Sequence, residues 1–472
     1  MQYPRDMIGY GRTPPQAKWP GGARVALQFV VNYEEGGENC ILHGDPASEA
    51  FLSEIVGAQP WPGQRHMNME SIYEYGSRAG FWRLWRLFTQ RQIPVTVFGV
   101  ATALQRNPEA VGAMREADWE VACHGLKWID YRNHSREDEG ADMDAAIQMH
   151  TEVTGSRPLG WYTGRSSVHT LDLAMERGFE YLSDSYADDV PYWLHGTRKS
   201  GLVVPYTLDV NDMRFATAQG FNAGDQFYTY LRDSFDVLYA EGGTAPKMMS
   251  VGLHCRLAGR PGRLAALVRF LDHVASHDGV WIARRVEIAR HWRSQHPLRP
   301  LVPSRMTEEQ FVGRFGDVFE ETPEIARQAW QTGLGSDHDD PRGLHDVMVK
   351  VMRALPQQRQ LELILNHPEL AGRLALAGQL SVSSTAEQGS AGLNALTADE
   401  LEKFKKLNDA YRHRFDIPFI MAIKGRGKAE IFAAFESRLR NDKDQEIEEA
   451  LRQIERIALL RLTDLLPPAG PR

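Results

Sequence analysis

Short apolar runs that alternate with helix-like segments constrain this chain more than any other feature. From about residue 20 to 295 the runs occupy 24–31, 94–100, 119–123, 160–163, 181–184, 202–207, 248–254 and 280–286. They are rich in β-branched and aromatic residues and end near Gly, Pro or Asp, as buried strands do. Helical patterns lie between several of them, as at 71–90 and 141–154. Alternation of this kind implies a parallel sheet, and this many units predicts a closed or nearly closed β/α barrel. Such a barrel gathers its chemistry at the C-terminal ends of its strands.

The pattern stops at Pro297, Pro300 and Pro303, a cluster that propagates neither a helix nor a central strand. Amphipathic helical runs follow at 308–319, 323–332, 343–354, 357–366, 398–415, 428–438 and 445–466. The reading is an α/β barrel over 1–296, a linker over 297–305, an all-α helical domain over 306–466 and a tail over 467–472. A net charge of −8 argues against a nucleic-acid binder, which needs a basic face. No apolar run of about 18 residues marks a membrane span, and the N-terminus lacks an apolar signal core. Cys40, Cys123 and Cys255 are far apart, which argues against a disulfide framework or a thiolate zinc site and fits a reducing cytoplasm.

Polar residues collect where the expected strands end. The first run leads into Glu34 and Glu35, the third into His124 and Trp128, and the fourth into Arg165. Asp184 closes the fifth run, and His254 closes the seventh just before Arg256. A barrel brings these ends to one rim. The order of motifs resembles the polysaccharide deacetylase superfamily, whose metal-dependent members hold a divalent ion with one Asp and the two His of a His-x-x-x-His pair. Here the acidic pair is Glu34-Glu35, and Trp128 in HGLKW replaces the second histidine. An indole offers no lone pair to a metal. Glu35 and His124 alone make a poor catalytic zinc site, which takes three protein ligands. The segments NYEEGGENC, SIYEYGSRAGFWRL, CHGLKWIDY, GWYTGR, SDSYADDVPYW and LHCRLAGRPGR are similar to the bacterial allantoinases of this superfamily, which are considered independent of metal. The resemblance implies opening of the hydantoin ring of (S)-allantoin to allantoate, with no metal and no cofactor.

Glu35 is the expected base, because a neighbouring carboxylate raises one pKa of the pair toward a useful value. Glu34 and Glu35 are also expected to point to opposite sides, so that only one enters the pocket. His124 and His254 are expected to orient water or to donate to a developing oxyanion. Arg165 and Arg256 are candidates for holding ureido carbonyls and Asp184 for accepting ureido N–H groups. Tyr33, Trp128 and Trp161 are candidates for the pocket wall.

In the helical half, LELILNHPEL places His367 directly before Pro368. The proline keeps His367 out of helical geometry, at a break where its ring can enter a cavity. In SVSSTAEQG, Ser384 and Glu387 share a face if helical, with Gln388 beside them; a capping box explains the same spacing. Ile447, Leu451, Ile454, Ala458, Arg461 and Leu465 form one stripe, so Arg461 snorkels, pairs with a buried carboxylate or awaits an anionic ligand. NHPEL, STAEQ, FVGRFGDVFEETPEIA, IALLRL and FDIPFIMAIKG resemble the decarboxylase of 2-oxo-4-hydroxy-4-carboxy-5-ureidoimidazoline (OHCU), with Asp416 where that family usually has Gly. That resemblance implies His367 as proton donor or acceptor, Glu387 acting beside it, and Ser384, Gln388 and Arg461 holding the substrate. Together the two resemblances imply a bifunctional enzyme of urate degradation, one half making (S)-allantoin and the other consuming it. Its partners are small ureido and hydantoin molecules, and a cytoplasmic homo-oligomer is expected. The competing reading is a metal-dependent carbohydrate or amide deacetylase carrying a non-catalytic helical module.

Overall fold

Alternation along the strands decides which residues line the centre of the first half. The computed structural model describes residues 5–196, 199–299, 302–367, 398–424 and 426–466, and the chain divides into two units, Met1–Arg299 and Pro300–Arg472. In the first unit a single sheet contains β1 (Val25–Tyr33), β2 (Thr96–Gly99), β3 (Glu120–Cys123), β4 (Gly160–Trp161), β5 (Tyr181–Leu182), β6 (Tyr192–His195), β7 (Ser200–Val203), β8 (Lys247–His254) and β9 (Val280–Ile282). Neighbours follow the order β6-β7-β5-β4-β3-β2-β1-β8, with β9 beside the start of β1. All pairings are parallel except that of β6 with β7.

The expected barrel is therefore open. Strands β6 and β8 end the sheet without pairing, and loops bridge part of the gap: Met248 N–H donates to the Asp189 carbonyl and Ser250 N–H to Thr207 Oγ1. β6 is absent from the sequence reading because its half-buried residues Tyr192–His195 form neither an apolar run nor a clean alternation. The expected helix 71–90 also differs. It is Met67–Tyr75 and Phe81–Gln90, joined by a wider π-type turn at Gly76–Gly80. A Cβ on Gly76 would run into the Glu35 carboxylate, and one on Gly80 into the Cys255 carbonyl. Glycine at both positions lets this turn press onto the strand ends, a role such turns often have at functional sites.

In β1, Val25, Leu27, Phe29, Val31 and Tyr33 pack outward with Phe88 and Phe270 from the surrounding helices. Ala26, Gln28, Val30 and Asn32 take the opposite parity and face inward. Three layers fill this inner space. At the bottom Arg285 donates to Gln28, Ser250, Ser183 and the Val204 and Pro205 carbonyls, while Glu120 accepts from Thr96, Tyr181 and Val286 N–H. Phe98, Tyr162 and Tyr206 form an aromatic middle layer, with Phe98 stacked on Tyr162 at 4.7 Å. Above it lie the inward-facing strand ends.

The second unit contains the helices Glu308–Phe315, Pro323–Gln331, Pro341–Ala354, Gln357–Asn366, Ala398–Phe415, Lys428–Arg438 and Lys443–Leu465. Capping boxes start two of them, Thr307 with Gln310 and Asp442 with Gln445. Their apolar faces meet around Phe311, Phe315, Met348, Phe404, Tyr411 and Ile454.

Arg285→Met leaves the bottom-layer acceptors without their cation. It is expected to cost about 3–5 kcal/mol of unfolding free energy in urea, the usual penalty for removing one member of a buried polar group set. A loss under about 1 kcal/mol, within reach of any point substitution, would contradict the layered core.

Candidate active sites

The parity of β1 continues one step past its end. Glu34 follows Asn32 on the inward face, whereas Glu35 follows Tyr33 outward to the glycine turn. β3 and β8 deliver His124 and His254 to the same place by the same rule, continuing from Ala122 and from Ser250 and Gly252. Glu34 Oε1 lies 3.3 Å from His124 Nε2 and 3.4 Å from His254 Nε2. His254 Nδ1 is 2.6 Å from Asp212 Oδ1, and Asp212 Oδ2 accepts the His254 and Ala258 N–H groups. These four side chains are buried.

Burial opposes charge on Glu34 and His254, but their neighbours decide the outcome. For Glu34, burial pushes the pKa up, yet His254 and Arg256 outweigh it and hold the carboxyl well below its ordinary value. For His254, burial favours the neutral ring, while Glu34 and Asp212 push the pKa up to about 9. At neutral pH the site thus holds a carboxylate beside an imidazolium. Glu35 takes the other course: burial raises its pKa against the pull of Arg256, with Glu34 adding to the rise.

Arg256 balances the two carboxylates. Its Nη2 is 2.7 Å from Glu34 Oε2, its Nη1 3.5 Å from Glu35 Oε1, and its Nε donates to the Leu52 carbonyl. The guanidinium lies over Tyr73 at 4.3 Å and Trp128 at 5.3 Å. A second guanidinium, that of Arg165, lies 3.9 Å from the Trp128 ring. Cation–π contacts of this kind are favourable where water is excluded. Arg165 Nη2 sits 3.6 Å from Glu49 and has no hydrogen-bond acceptor within the described residues.

This donor set does not fit the divalent ion of the metal-dependent deacetylases. The histidine of the second ligand position is the Trp128 indole, held beside two guanidiniums. Glu34 and Glu35 already meet Arg256, which an ion would have to displace. Ligand atoms of Glu34, His124 and His254 do not form a mutually close group; among the described residues the one such group is Asp236, His273 and His277, elsewhere in the fold.

Several expectations change. Glu34, not Glu35, meets the histidines, because the strand period sends Glu35 the other way. Arg256 is fully buried and spent on carboxylates, so it does not face a substrate as a carbonyl clamp. Asp184 uses both oxygens on the Thr163 and Gly164 N–H groups, which shapes the loop carrying Arg165; burial, the largest influence, still pushes its pKa up to about 7. Tyr33 bonds Asn107 and Ser77, and Trp161 packs outward on Phe179, so neither walls the pocket. Asp212, in the short turn Asp212–Ala216, was missed, since no spacing ties it to His254. His124 and His254 meet at Glu34, while Arg165 lies on Trp128, which Arg256 also approaches.

In the second unit His367 is buried and extended (φ −68°, ψ 127°) just after Gln357–Asn366, as the following proline requires. Ser384, Glu387 and Gln388 lie outside the described residues. Arg461 has a carboxylate partner, Glu320 at 2.7 Å, and donates to the Asp317 and Val318 carbonyls. Asp416 has φ +60°, which explains the glycine usual there, and Asp is among the residues that tolerate it.

Comparison with known proteins agrees with both halves. The polysaccharide deacetylase family profile matches residues 68–182 and the OHCU decarboxylase profile residues 304–463. The solved structure of Puue allantoinase is 59% identical, with TM-score 0.63, covering 63% of this chain and 100% of that one. A Schizosaccharomyces pombe protein named "Putative polysaccharide deacetylase" is 44% identical over 62% of this chain and 98% of its own length. An OHCU decarboxylase of Halalkalicoccus jeotgali is 38% identical over 34% of this chain and 88% of its own length. The chain therefore belongs to two families in tandem, the polysaccharide deacetylases in its first unit and the OHCU decarboxylases in its second.

Proposed function

We propose that this chain is a bifunctional enzyme of urate catabolism that decarboxylates OHCU to (S)-allantoin and hydrolyses (S)-allantoin to allantoate. One observation carries the hydrolase reading. A unit matching the whole length of an allantoinase holds a carboxylate–imidazolium pair in the place where its wider family holds a metal. The residue roles are our own assignment. Glu34 accepts a proton from water as the water oxygen bonds the ring amide carbon. The carbonyl electrons move onto oxygen, where His124 and the cationic site favour the developing charge. The C–N bond then breaks, and His254, oriented by Asp212, gives its proton to the leaving nitrogen. Arg165, steadied on Trp128 and with a spare N–H, holds a ureido carbonyl.

In the second unit His367 is assigned the proton transfer of decarboxylation. Glu387 is assigned to act beside it, and Ser384, Gln388 and Arg461 to hold the substrate, Arg461 in company with Glu320. The domain limits 1–296 and 306–466 are the working boundaries for the two catalysts. Cys40, Cys123 and Cys255 are free, buried thiols, which supports a reducing compartment such as the cytoplasm. No helix among the described residues is long and apolar enough to cross a membrane.

Supplied with freshly generated OHCU and followed by circular dichroism, the whole chain is expected to build up and then consume the (S)-allantoin signal. His367→Ala should abolish the first phase and leave hydrolysis of added (S)-allantoin intact. Loss of both phases would point to one composite site instead.

The raised pKa of His254 sets the alkaline limb. Its folded value of about 9 exceeds the ordinary 6.5, so the imidazolium and its stabilising pairings are complete below about 6.5 and are lost as pH rises through 9. Allantoin hydrolysis should fall through that window. Asp212→Asn should move the limb to lower pH and reduce kcat by about 100-fold or more, in the range of a general acid's contribution. An unmoved limb would remove Asp212 and His254 from the proton path.

A further inference from the structure

Asp236, His273 and His277 lie in neither of the two sites. Asp236 is on the helix Gly224–Glu241, His273 near the end of the neighbouring helix Pro261–Ala275, and His277 four residues further on. That end of the sheet is opposite to His254: β8 runs from Lys247 up to His254, the helix returns, and β9 then starts in register with Val25 at the base of β1. We propose that these three side chains bind one divalent ion of borderline softness, with zinc as the type.

The geometry is already assembled. One ligand atom from each residue lies within 4.8 Å of the other two. His273 Nε2 is 2.7 Å from Asp236 Oδ1. His277 Nδ1 is 2.9 Å from the His273 carbonyl, which can only accept, so this nitrogen carries the proton and Nε2 carries the lone pair. A backbone carbonyl that fixes the tautomer of a ligating histidine is the common outer-shell device of metal sites. The rings are also held in place. They pack 4.7 Å apart, with Phe235 edge-on to both at 5.8 and 5.2 Å and Tyr239 5.0 Å from His277. The Asp236 side chain is 44% exposed and the His273 side chain 20%, so an ion reaches the group from solvent and a water completes four-coordination. Two imidazoles and one carboxylate suit zinc, nickel or copper and not calcium or magnesium, which prefer oxygen alone. The bound ion ties the two helices together at the end away from catalysis.

The test is calorimetric titration of zinc chloride into the untagged full chain, stripped beforehand with a chelator. The wild type is expected to take up one equivalent with a matching rise in Tm. Two variants separate coordination from folding: His277→Ala leaves the His273–Asp236 bond in place, and Asp236→Asn changes only charge. Each should weaken binding at least about tenfold, the loss that even an outer-shell change brings to a metal site. Absence of saturable uptake by the wild type, or undiminished uptake by either variant, would overturn the proposal.

Discussion

A single buried carboxylate organises the first unit. Glu34 is enclosed by two imidazoles and a guanidinium, and its charge is tolerable there because Arg256 and His254 carry the opposite sign within hydrogen-bonding reach. Breaking up such a cluster leaves an unpaired charge in a dry interior, which costs several kcal/mol per ion. The cluster is held from outside at His254, Arg256 and Glu35. Asp212 fixes His254, Leu52 and Tyr73 fix Arg256, and the glycine turn closes over Glu35. In metal-dependent relatives an ion supplies positive charge at the mouth of the sheet; here side chains supply it, and the indole of Trp128 packs where a ligand would stand.

The layers beneath make this possible. Arg285 and Glu120 pin several strands from below, and the Phe98–Tyr162–Tyr206 layer separates that polar base from the site. Tyr206 links the two levels, with its hydroxyl accepting from Asn32 and Asn211.

Much of this was legible in the sequence. Strand positions, the change of texture at the prolines, the helices of the second unit and the rim histidines all follow from periodicity and punctuation. The inward course of Glu34 and the outward course of Glu35 are legible too. Gln28 and Asn32 interrupt the apolar run at even positions, and the same parity continues to Glu34. What was not legible depends on long-range closure. Asp212 reaches His254 across a loop of no regular pattern, and the antiparallel β6 is defined by its partner more than by its composition. The π-type turn at Gly76–Gly80 answers to Glu35 and Cys255, residues distant in sequence. Asp416 stood out only as a departure from a family pattern, and its backbone angle supplies the reason for the pattern.

Joining a source of (S)-allantoin to its consumer keeps both activities in equal number and raises the local concentration of the shared intermediate. The central claim concerns the hydrolase, namely that fixed cations and a carboxylate prepare the attacking water there. The most direct measurement is the rate of (S)-allantoin hydrolysis by the full chain after chelation, with residual metal quantified by mass spectrometry, before and after addition of zinc or manganese. The account predicts the same rate in all cases. Activity that vanishes on stripping and returns with one added equivalent of metal would contradict it.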